Sequence, residues 1–427
     1  MRTPAIEDVP QALRERAIEV AGVLRTAGHR AWIVGGAVRD LALGYAPKDL
    51  DMASGATPEE IEVLFPSAVG VGRAFGTMIL PSADGDVELT TFRGEGDYAD
   101  GRRPERVHYG VSLEEDAARR DFTANALYLD PLDGTLADPE GGLADLERGL
   151  LRTVGDPRAR FEEDALRLLR LGRFAGRYGL TVPQDVLEAA SAAAPGLARV
   201  SGERVASELG RIGAWPGTLA AVAILARVGA LVARFDSWGD EALAGTRRAL
   251  IEALGDGAGT TVFMAALFWN SGGGQASDEL DSLRLSRADR REIGALWQLG
   301  QALSDAGRRR SSLLRALREL DEPLALRWAG ALAEVCPATH GAGRSELARA
   351  ATEVPAADRR PAPLLRSDDL RAAGVPRGPA WGELLSEHED LQLEGQHTDR
   401  GLALDWLARR AAELGEADQL GGKSRRS

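Results

Sequence analysis

Four short patterns in this chain place charged, polar or glycine residues at spacings that could perform chemistry. In chain order they are Gly35-Gly36-Ala37-Val38-Arg39-Asp40, Asp49-Leu50-Asp51, Arg119–Ala126 and Glu163-Asp164-Ala165-Leu166-Arg167. Any one of them alone indicates little, because glycine pairs and Asp-x-Asp triplets are common. Together they predict a metal-assisted nucleotidyl transfer with its own means of recognising the base.

The paired aspartates are the expected catalytic centre. Asp49 and Asp51 are two residues apart on a predicted strand, so both carboxylates project from one face. Like charges this close repel each other unless a cation lies between them. Mg²⁺ is the fitting cofactor, since it prefers oxygen ligands and keeps waters and phosphate oxygens as the others. Glu88, in a later strand, is the candidate third catalytic carboxylate. The alternative for an isolated Asp-x-Asp is a solvated edge strand.

The glycine pair and a later polar group are candidates for nucleotide binding. Gly35-Gly36 follows a predicted strand and begins a predicted helix, where backbone N–H groups can receive a triphosphate. Arg39, one turn into that helix, is expected to add a charge-assisted contact. Arg120, Asp121 and Asn125 offer donors and acceptors for a phosphate and a ribose hydroxyl. The alternatives are a tight turn with a surface arginine and a helix cap at Asp121.

Asp164 and Arg167 are the candidate base-reading pair. Three residues apart on one predicted helix, they would be neighbours on one face. A carboxylate beside a guanidinium offers an acceptor next to a donor, which matches the pairing edges of cytosine and adenine and mismatches uracil and guanine. Rejection of a wrong base could reach roughly 10⁴-fold, because buried polar groups would be left unpaired. The alternative is a surface ion pair of about 0.3–0.5 kcal/mol.

The elements that must position these residues divide the chain into an α+β part and a helical part. Short apolar runs predict strands at 31–34, 49–53 and 87–92, with a hairpin turn at 131–134. Helices are expected at about 7–27 and after Gly36. From Gly141 the spacing of apolar residues becomes helical, and the apolar stretch 219–235 predicts a buried helix. Gly341–Gly343 is expected to separate helical subdomains.

The bulk composition is that of an ordinary globular protein with segregated charge. The chain has 427 residues, a formal net charge of −13 and 44% hydrophobic residues, so several domains are expected. A single thiol, Cys336, excludes an internal disulfide framework and favours a cytoplasmic location. No membrane-spanning run is apparent. Arginines recur between Arg148 and Arg177, and this stripe is expected either to contact phosphates or to be a solvated helix face.

The chain resembles the bacterial class II tRNA nucleotidyltransferases, the CCA-adding enzymes of the polymerase-β-like superfamily. Segments that carry the resemblance are Gly35–Asp51, Thr91–Tyr98, Arg102-Arg103-Pro104, Arg119–Ala126, Asp138–Gly142, Arg152–Pro157, Phe161–Phe174, Ser201-Gly202-Glu203-Arg204 and, more weakly, Pro363–Leu370. It implies that Asp49 and Asp51 bind Mg²⁺. It also implies that the incoming nucleotide is contacted by Gly36, Arg39, Arg120, Asp164, Arg167, Arg170 and Arg173.

The same resemblance implies an architecture of head, neck, body and tail. The expected boundaries are a polymerase-β-like nucleotidyltransferase head at 1–140, an all-α neck at 141–210, a body at 211–340, a tail at 341–420 and a disordered end at 421–427. The implied activity is template-independent addition of C, C and A to the 3′ end of tRNA from CTP and ATP, with no obligatory protein partner.

Related activities remain as alternatives. An enzyme adding only A, or only the two Cs, would share most of these motifs. A poly(A) polymerase is disfavoured, because such enzymes usually carry a basic Gly-[Arg/Lys]-[Arg/Lys]-Phe segment where this chain has Gly72–Thr77. A full-length loop at Arg93–Gly110 disfavours CC-only addition. A catalytically silent RNA-binding protein that kept the fold would be expected to have lost the carboxylates or the Asp–Arg pair.

Overall fold

The computed structural model describes residues 2–72, 76–82, 85–94, 109–270, 275–304 and 309–424. The chain folds as two compact units, residues 1–241 and 242–427. This division falls inside the segment predicted as the body, so the four-part organisation stays a prediction. Most of the loop expected at 93–110 and residues 73–75 of the Gly72–Thr77 segment lie outside the described residues.

The first unit contains a mixed sheet whose strands carry the predicted carboxylates. In the described residues its strands are β1 (Ala31–Val34), β2 (Leu50–Ser54), β3 (Val69–Gly72), β4 (Thr77–Leu80), β5 (Val87–Thr91), β6 (Tyr128–Leu129) and β7 (Leu136–Ala137). They lie in the order β3-β4-β5-β2-β1-β6-β7. Only β2 and β5 pair in parallel, and their register places Asp51 directly opposite Glu88.

The sequence predicted the central strands and missed one edge. β1, β2, β5 and the β6–β7 hairpin lie within a residue or two of their predicted positions. β3 and β4 were not predicted, because β3 (Val69–Gly72) has two glycines among four residues and β4 is short. The mixed α+β head followed by helices is therefore confirmed.

Helices of the first unit flank this sheet and then continue without further strands. They are α1 (Gln11–Thr26), α2 (Gly36–Ala42), α3 (Pro58–Leu64), α4 (Leu113–Ala118), α5 (Gly142–Glu147), α6 (Pro157–Glu163), α7 (Arg167–Tyr178), α8 (Gln184–Ala193), α9 (Gly202–Ala214), α10 (Thr218–Arg227) and α11 (Ala230–Arg234). The apolar stretch 219–235 forms α10 and α11, not one helix, because Gly229 ends the first at a positive φ of 72°.

Helix α7 is held by unusually close packing. A Cβ at Gly172 would lie 2.7 Å from the Leu225 side chain, and one at Gly176 would lie 2.5 Å from the backbone oxygen of Gly217. The two glycines therefore let α7 approach α10 backbone to backbone. The leucines and Phe174 of α7 are buried around this contact, which fixes the direction of the arginines on its other face.

The second unit is helical in its described residues. Its helices are α12 (Glu241–Leu254), α13 (Thr260–Leu267), α14 (Gln275–Asp281), α15 (Arg287–Leu303), α16 (Arg310–Glu319), α17 (Glu322–Val335), α18 (Pro337–Glu353), α19 (Ser367–Ala372), α20 (Pro379–Leu393) and α21 (Arg400–Ser424). Helix α21 includes most of the segment predicted to be disordered.

The break predicted at Gly341–Gly343 is wrong, because α18 is continuous through it. A Cβ at Gly343 would lie 2.4 Å from the backbone oxygen of Leu303. The glycine therefore permits close helix packing instead of ending a helix. No helix among the described residues meets the length and apolarity needed to cross a bilayer.

Candidate active site

Three carboxylates lie at the exposed surface of the central strands. Asp49 immediately precedes β2, Asp51 is its second residue, and Glu88 occupies the matching position of β5. All three side chains are exposed. Among the described residues none of them forms an ion pair or accepts a side-chain hydrogen bond. The strand register thus places Asp51 opposite Glu88 and two residues from Asp49, and no ion pair among the described residues compensates their charges directly.

The ionisation of Asp51 reflects this crowding. The pKa of Asp51 is raised to about 6, first because surrounding protein removes water from the carboxylate and then because the charges of Glu88 and Asp49 repel it. Arg120 and Arg211 act in the opposite direction. Arg211 lies on α9, so the helical part of the unit approaches the carboxylates.

The raised pKa predicts how pH acts on metal-free protein. Asp51 binds its proton more tightly when folded than at the ordinary value of 3.8, so its ionisation destabilises the fold. This cost is full above about pH 6 and shrinks as the pH falls toward about 4. In buffer with EDTA, Asp51→Asn should therefore raise Tm by a few degrees at pH 7.5 and change it little near pH 4. A Tm difference independent of pH would contradict the proposed repulsion.

Next to the carboxylate strands, the glycine pair connects β1 to α2. Gly35 has φ 62° and ψ −115°, a conformation that residues with a Cβ rarely adopt. A Cβ there would lie 3.1 Å from Arg120 Nη1. The N–H of Gly35 donates to the backbone oxygen of Leu127, so it belongs to the sheet and is not free for a ligand. The pair therefore brings the backbone close to a guanidinium.

Arg39 is buried, not displayed on the surface of α2. Its guanidinium donates to Asn125 Oδ1 at 2.5 Å, to Asp40 Oδ1 at 2.7 Å and to Tyr178 Oη at 2.6 Å. It also lies 4.8 Å from the ring centre of Phe174. These contacts join the head to α7. The predicted contact with a triphosphate stays a prediction, and it would require Arg39 to exchange one of these partners.

Arg120 lies in a polar cluster around Asp116, which the sequence analysis did not identify. Arg120 donates to Asp116 Oδ2 at 3.0 Å and to Tyr128 Oη at 2.8 Å, and Tyr128 donates to the same carboxylate. Arg119 also pairs with Asp116. Although burial acts to raise it, the pKa of Asp116 is lowered by the two arginines. Tyr128 is packed edge-on to Trp32, so this cluster is anchored in the core.

Asp121 and Asn125 form a second buried group that reaches α7. Asp121 accepts from the Asn125 amide at 2.9 Å and from Arg170 Nε at 2.6 Å. Burial acts to raise the pKa of Asp121, but Arg170, the Asn125 amide and Arg167 together lower it to about 2. Since Asn125 also accepts from Arg39, a continuous set of hydrogen bonds runs from α2 to α7. The predicted ribose contact of Asp121 and Asn125 stays a prediction. Asp121 binds the side chains of Asn125 and Arg170 and does not cap a helix.

Asp164 and Arg167 are close in sequence, but they do not share a helix as predicted. Asp164 has extended backbone, φ −149° and ψ 100°, at the junction where α6 ends. Its side chain accepts from the Leu166 N–H at 3.1 Å and from Arg204 Nη2 at 2.6 Å. These two contacts stabilise the break between α6 and α7, which is the physical reason that the prediction of one continuous helix is wrong.

Arg167 begins α7 and has different partners from Asp164. Its guanidinium donates to Glu163 Oε2 at 2.5 Å and to the backbone oxygens of Arg160 and Arg119. The bond to Arg119 joins it to the head beside the Asp116 cluster. Asp164 remains 28% exposed and Arg167 13% exposed at their side chains. Both therefore lie at the head-facing start of α7, each held by its own ion pair.

Glu208 on α9 is a buried partner of the α7 arginines that the sequence analysis missed. It is 3% exposed and accepts from Arg173 Nε at 2.7 Å and from Arg211 Nη1 at 3.1 Å, with Arg170 Nη1 at 3.8 Å. Burial, opposed by Glu208, lowers the pKa of Arg173 to about 10. The sequence signal for Glu208 was an acidic residue among the apolar positions of a predicted helix. The sequence of α7 does not indicate that its arginines pair with this residue.

Removing the Glu208 carboxylate should strongly destabilise the first unit. Glu208→Ala leaves Arg173 buried without its anion, and breaking such a pair from one side costs about 3–5 kcal/mol. Urea unfolding followed by circular dichroism measures this cost. Glu188→Ala, an exposed glutamate on α8, is the matched control and should change stability by less than about 0.5 kcal/mol. A similar small change for Glu208→Ala would contradict the buried network.

The side chains of the arginine stripe are divided among buried, half-buried and exposed positions, and its contact with phosphates stays a prediction. Arg160 and Arg173 are buried, Arg170 pairs with Asp121, and Arg177 stacks on Trp215. The arginines of the stripe whose side chains are exposed are Arg148, Arg152 and Arg158. Of the others, Arg160 and Arg167 pair with the nearby Glu163. Arg170, Arg173 and Arg177 pair with carboxylates that are distant in sequence and close in the fold.

The carboxylates offer oxygen donors to a metal ion. No three His, Cys, Asp or Glu side chains in the described ranges converge as they would around a bound ion. Asp49 and Asp51 instead provide exposed carboxylates, hard oxygen donors that form no ion pair among the described residues. That set fits a divalent cation that takes one or two carboxylates and fills its other positions with waters and phosphate oxygens.

The comparisons with known proteins agree with this architecture. Residues 31–152 match the family model described as Poly A polymerase head domain. A CCA-adding enzyme of Geobacillus thermodenitrificans is 44% identical over 215 residues, which is 50% of this chain and 53% of that protein. One from Bacillus subtilis is 43% identical over 197 residues, 46% of this chain and 49% of that protein. In sequence, the chain thus spans about half the length of the curated relatives it matches.

Solved structures extend the similarity across nearly the whole chain. The Bacillus stearothermophilus CCA-adding enzyme in complex with CTP aligns with a TM-score of 0.68 at 27% identity, covering 96% of this chain and 100% of that one. The Thermotoga maritima CCA-adding enzyme complexed with tRNA aligns with a TM-score of 0.60 at 19% identity, covering 95% and 97%, and this shows the fold alone. Residues 31–152 thus match a poly(A) polymerase head domain, in a chain that is similar to CCA-adding enzymes in sequence over about half of its length and in fold over nearly all of it.

Proposed function

We propose that this protein adds C, C and A in turn to the 3′ end of tRNA, using CTP and ATP, without a nucleic-acid template. The observation that carries the proposal is the set of exposed carboxylates at β2 and β5, which form no ion pair in the described residues, with Arg120 and Arg211 acting electrostatically on Asp51. The relatives named as CCA-adding enzymes, and the solved structures with CTP and with tRNA, support it.

In the proposed reaction the terminal ribose hydroxyl of the RNA attacks the α-phosphate. An O3′–P bond forms, the bond to the β-phosphate oxygen breaks, and pyrophosphate leaves. Asp49 and Asp51 would hold the divalent cation, which we propose to be Mg²⁺, with Glu88 as a third carboxylate beside them. When bound, that cation would supply Lewis-acid activation and charge neutralisation.

The other proposed roles belong to residues placed around the carboxylates. Arg120, fixed by Asp116 and Tyr128, would neutralise a phosphate, while Gly35 and Gly36 keep the backbone close to it. Asp121 and Asn125 would bind the ribose, and Arg39 would complete that group. Asp164 and Arg167 would read the base, supported by Arg170 and Arg173 on the same helix. The proposed location is the cytoplasm, where tRNA is processed.

Product sequencing tests the proposal directly. Purified protein is incubated with Mg²⁺, CTP, ATP and tRNA that ends at the position before CCA, and the 3′ ends are sequenced. We expect one CCA per molecule. Products that stop at CC, or products formed only from tRNA already ending in CC, would select a partial activity. Long A tails would select a poly(A) polymerase, and no product with either RNA would overturn the proposal.

A further inference from the structure

Trp215, at the end of α9, contacts two cations from different parts of the first unit. The guanidinium carbon of Arg177 lies 3.6 Å from the centre of its ring, and Lys48 Nζ lies 4.7 Å from the same centre. Trp215 is half-buried and Lys48 is exposed. Cation–π contacts of this kind are worth about 0.5–1 kcal/mol at exposed sites, enough to favour one position of the lysine side chain.

The location of this contact relates it to the carboxylates. Lys48 directly precedes Asp49, and Trp215 is one helical turn beyond Arg211, whose charge acts on Asp51. The end of α9 therefore lies near the start of β2, with Trp215 against Lys48 and the charge of Arg211 within electrostatic reach of Asp51. The ammonium group is thus held at the margin of the carboxylate site, on the side of the helical part.

The ammonium group of Lys48 can bind an anionic ligand. In the part of the chain that the structure describes, Lys48 has no carboxylate partner, and an aromatic face attracts a cation without accepting all three of its N–H donors. Those donors remain available to phosphate oxygens. The chain has 52 lysines and arginines, of which Lys48 and Lys423 are the lysines.

We propose that Lys48 binds a phosphate group of the substrates and that Trp215 is the positioning residue that holds it at the carboxylate site. The proposal rests on the proposed function and deepens it. The phosphate has two possible sources, the triphosphate of the incoming nucleotide and the backbone of the RNA acceptor. Loss of the Lys48 charge should weaken binding of the nucleotide in the first case and binding of the RNA in the second.

Steady-state kinetics with one substrate saturating and the other varied distinguish these sources. Lys48→Met, which keeps the side-chain length and removes the charge, should raise one KM by about tenfold, as expected for loss of a charged hydrogen bond. A rise in KM for CTP assigns the triphosphate, and a rise in KM for RNA assigns the acceptor backbone. Lys423→Met is the matched control and should change neither value.

Trp215 is tested by a pair of variants. Trp215→Leu should raise the same KM as Lys48→Met by a smaller factor with kcat nearly unchanged, whereas Trp215→Phe keeps an aromatic face and should restore most of the wild-type KM. Thermal unfolding of each variant excludes loss of folded protein as the cause. If Lys48→Met leaves both KM values within twofold of wild type, or if Trp215→Phe behaves as Trp215→Leu, the assignment is overturned.

Failure of the proposed function would be visible separately. Wild-type protein that incorporates no nucleotide would refute the activity, yet equilibrium binding of CTP and of an RNA acceptor to wild type and Lys48→Met would still decide the phosphate site. Equal affinities of the two proteins for both probes would refute it.

Discussion

Replacing Asp51 with asparagine should reduce nucleotide incorporation by at least about 10³-fold while the protein remains folded. Asp51 lies between Asp49 and Glu88, and its carboxylate is the one whose pKa reports both neighbouring charges. An amide of the same size removes the charge that would hold a divalent cation and retains the side chain's shape. Single-turnover incorporation of labelled CTP into tRNA, at saturating Mg²⁺, measures the loss.

Two comparisons make the Asp51 result interpretable. Asp185→Asn, an exposed aspartate on α8, removes the same charge away from the site and should leave the rate within twofold of wild type. Glu88→Gln tests whether the third carboxylate is a ligand, since a loss as large as that of Asp51→Asn would favour direct binding of the cation. Incorporation by Asp51→Asn at near-wild-type rates would remove Asp51 from the catalytic centre.

Replacing Asp164 or Arg167 with alanine should relax the choice of base far more than it weakens triphosphate binding. We expect discrimination between CTP and UTP, as a ratio of kcat/KM, to fall by about 100-fold, because the donor and acceptor that penalise the wrong pairing edge are gone. The KM for CTP should rise much less, since the phosphate contacts are made by other residues. Incorporation assays with each of the four nucleotides, at matched tRNA concentration, give both quantities.

The ion-pair partners provide the control for this prediction. Asp164 is held by Arg204 and Arg167 by Glu163, so Arg204→Gln and Glu163→Gln disturb the positions of the two side chains without removing them. These variants should lose discrimination to an intermediate degree. If alanine at 164 and 167 reduces incorporation of all four nucleotides equally, the pair positions the nucleotide and does not read its base.

The sequence alone determined the chemical groups of the candidate site and the strands that carry the carboxylates. Asp49 and Asp51 were identifiable because alternation along a strand is local, and their spacing alone puts both side chains on one face. Gly35 was identifiable because the turn from β1 to α2 needs a positive φ. The parallel pairing that sets Glu88 opposite Asp51 was not determined by any local pattern, although Glu88 itself could be proposed from its strand.

Tertiary structure decided which charged groups neutralise one another. Arg39, Arg170 and Arg173 could be taken from the sequence as arginines available to a ligand. The fold instead pairs Arg170 and Arg173 with the carboxylates of Asp121 and Glu208, and it hydrogen-bonds Arg39 to the neutral amide of Asn125. These partners lie 35 to 86 residues away along the chain. Burial makes such pairing obligatory, because an isolated charge in the interior is costly. The spacing of residues along the sequence does not predict which partner will lie nearby.

The junction at Asp164 shows the same distinction at short range. From sequence, Asp164 and Arg167 satisfy the spacing of neighbours on a helix, and each local propensity agrees with that interpretation. The fold instead ends α6 at Glu163 and begins α7 at Arg167, because Asp164 caps the Leu166 N–H and pairs with Arg204 from α9. Residue types and local periodicity thus determined what chemistry the chain can offer, whereas contacts between distant segments decided where each group lies and which charges remain free to act.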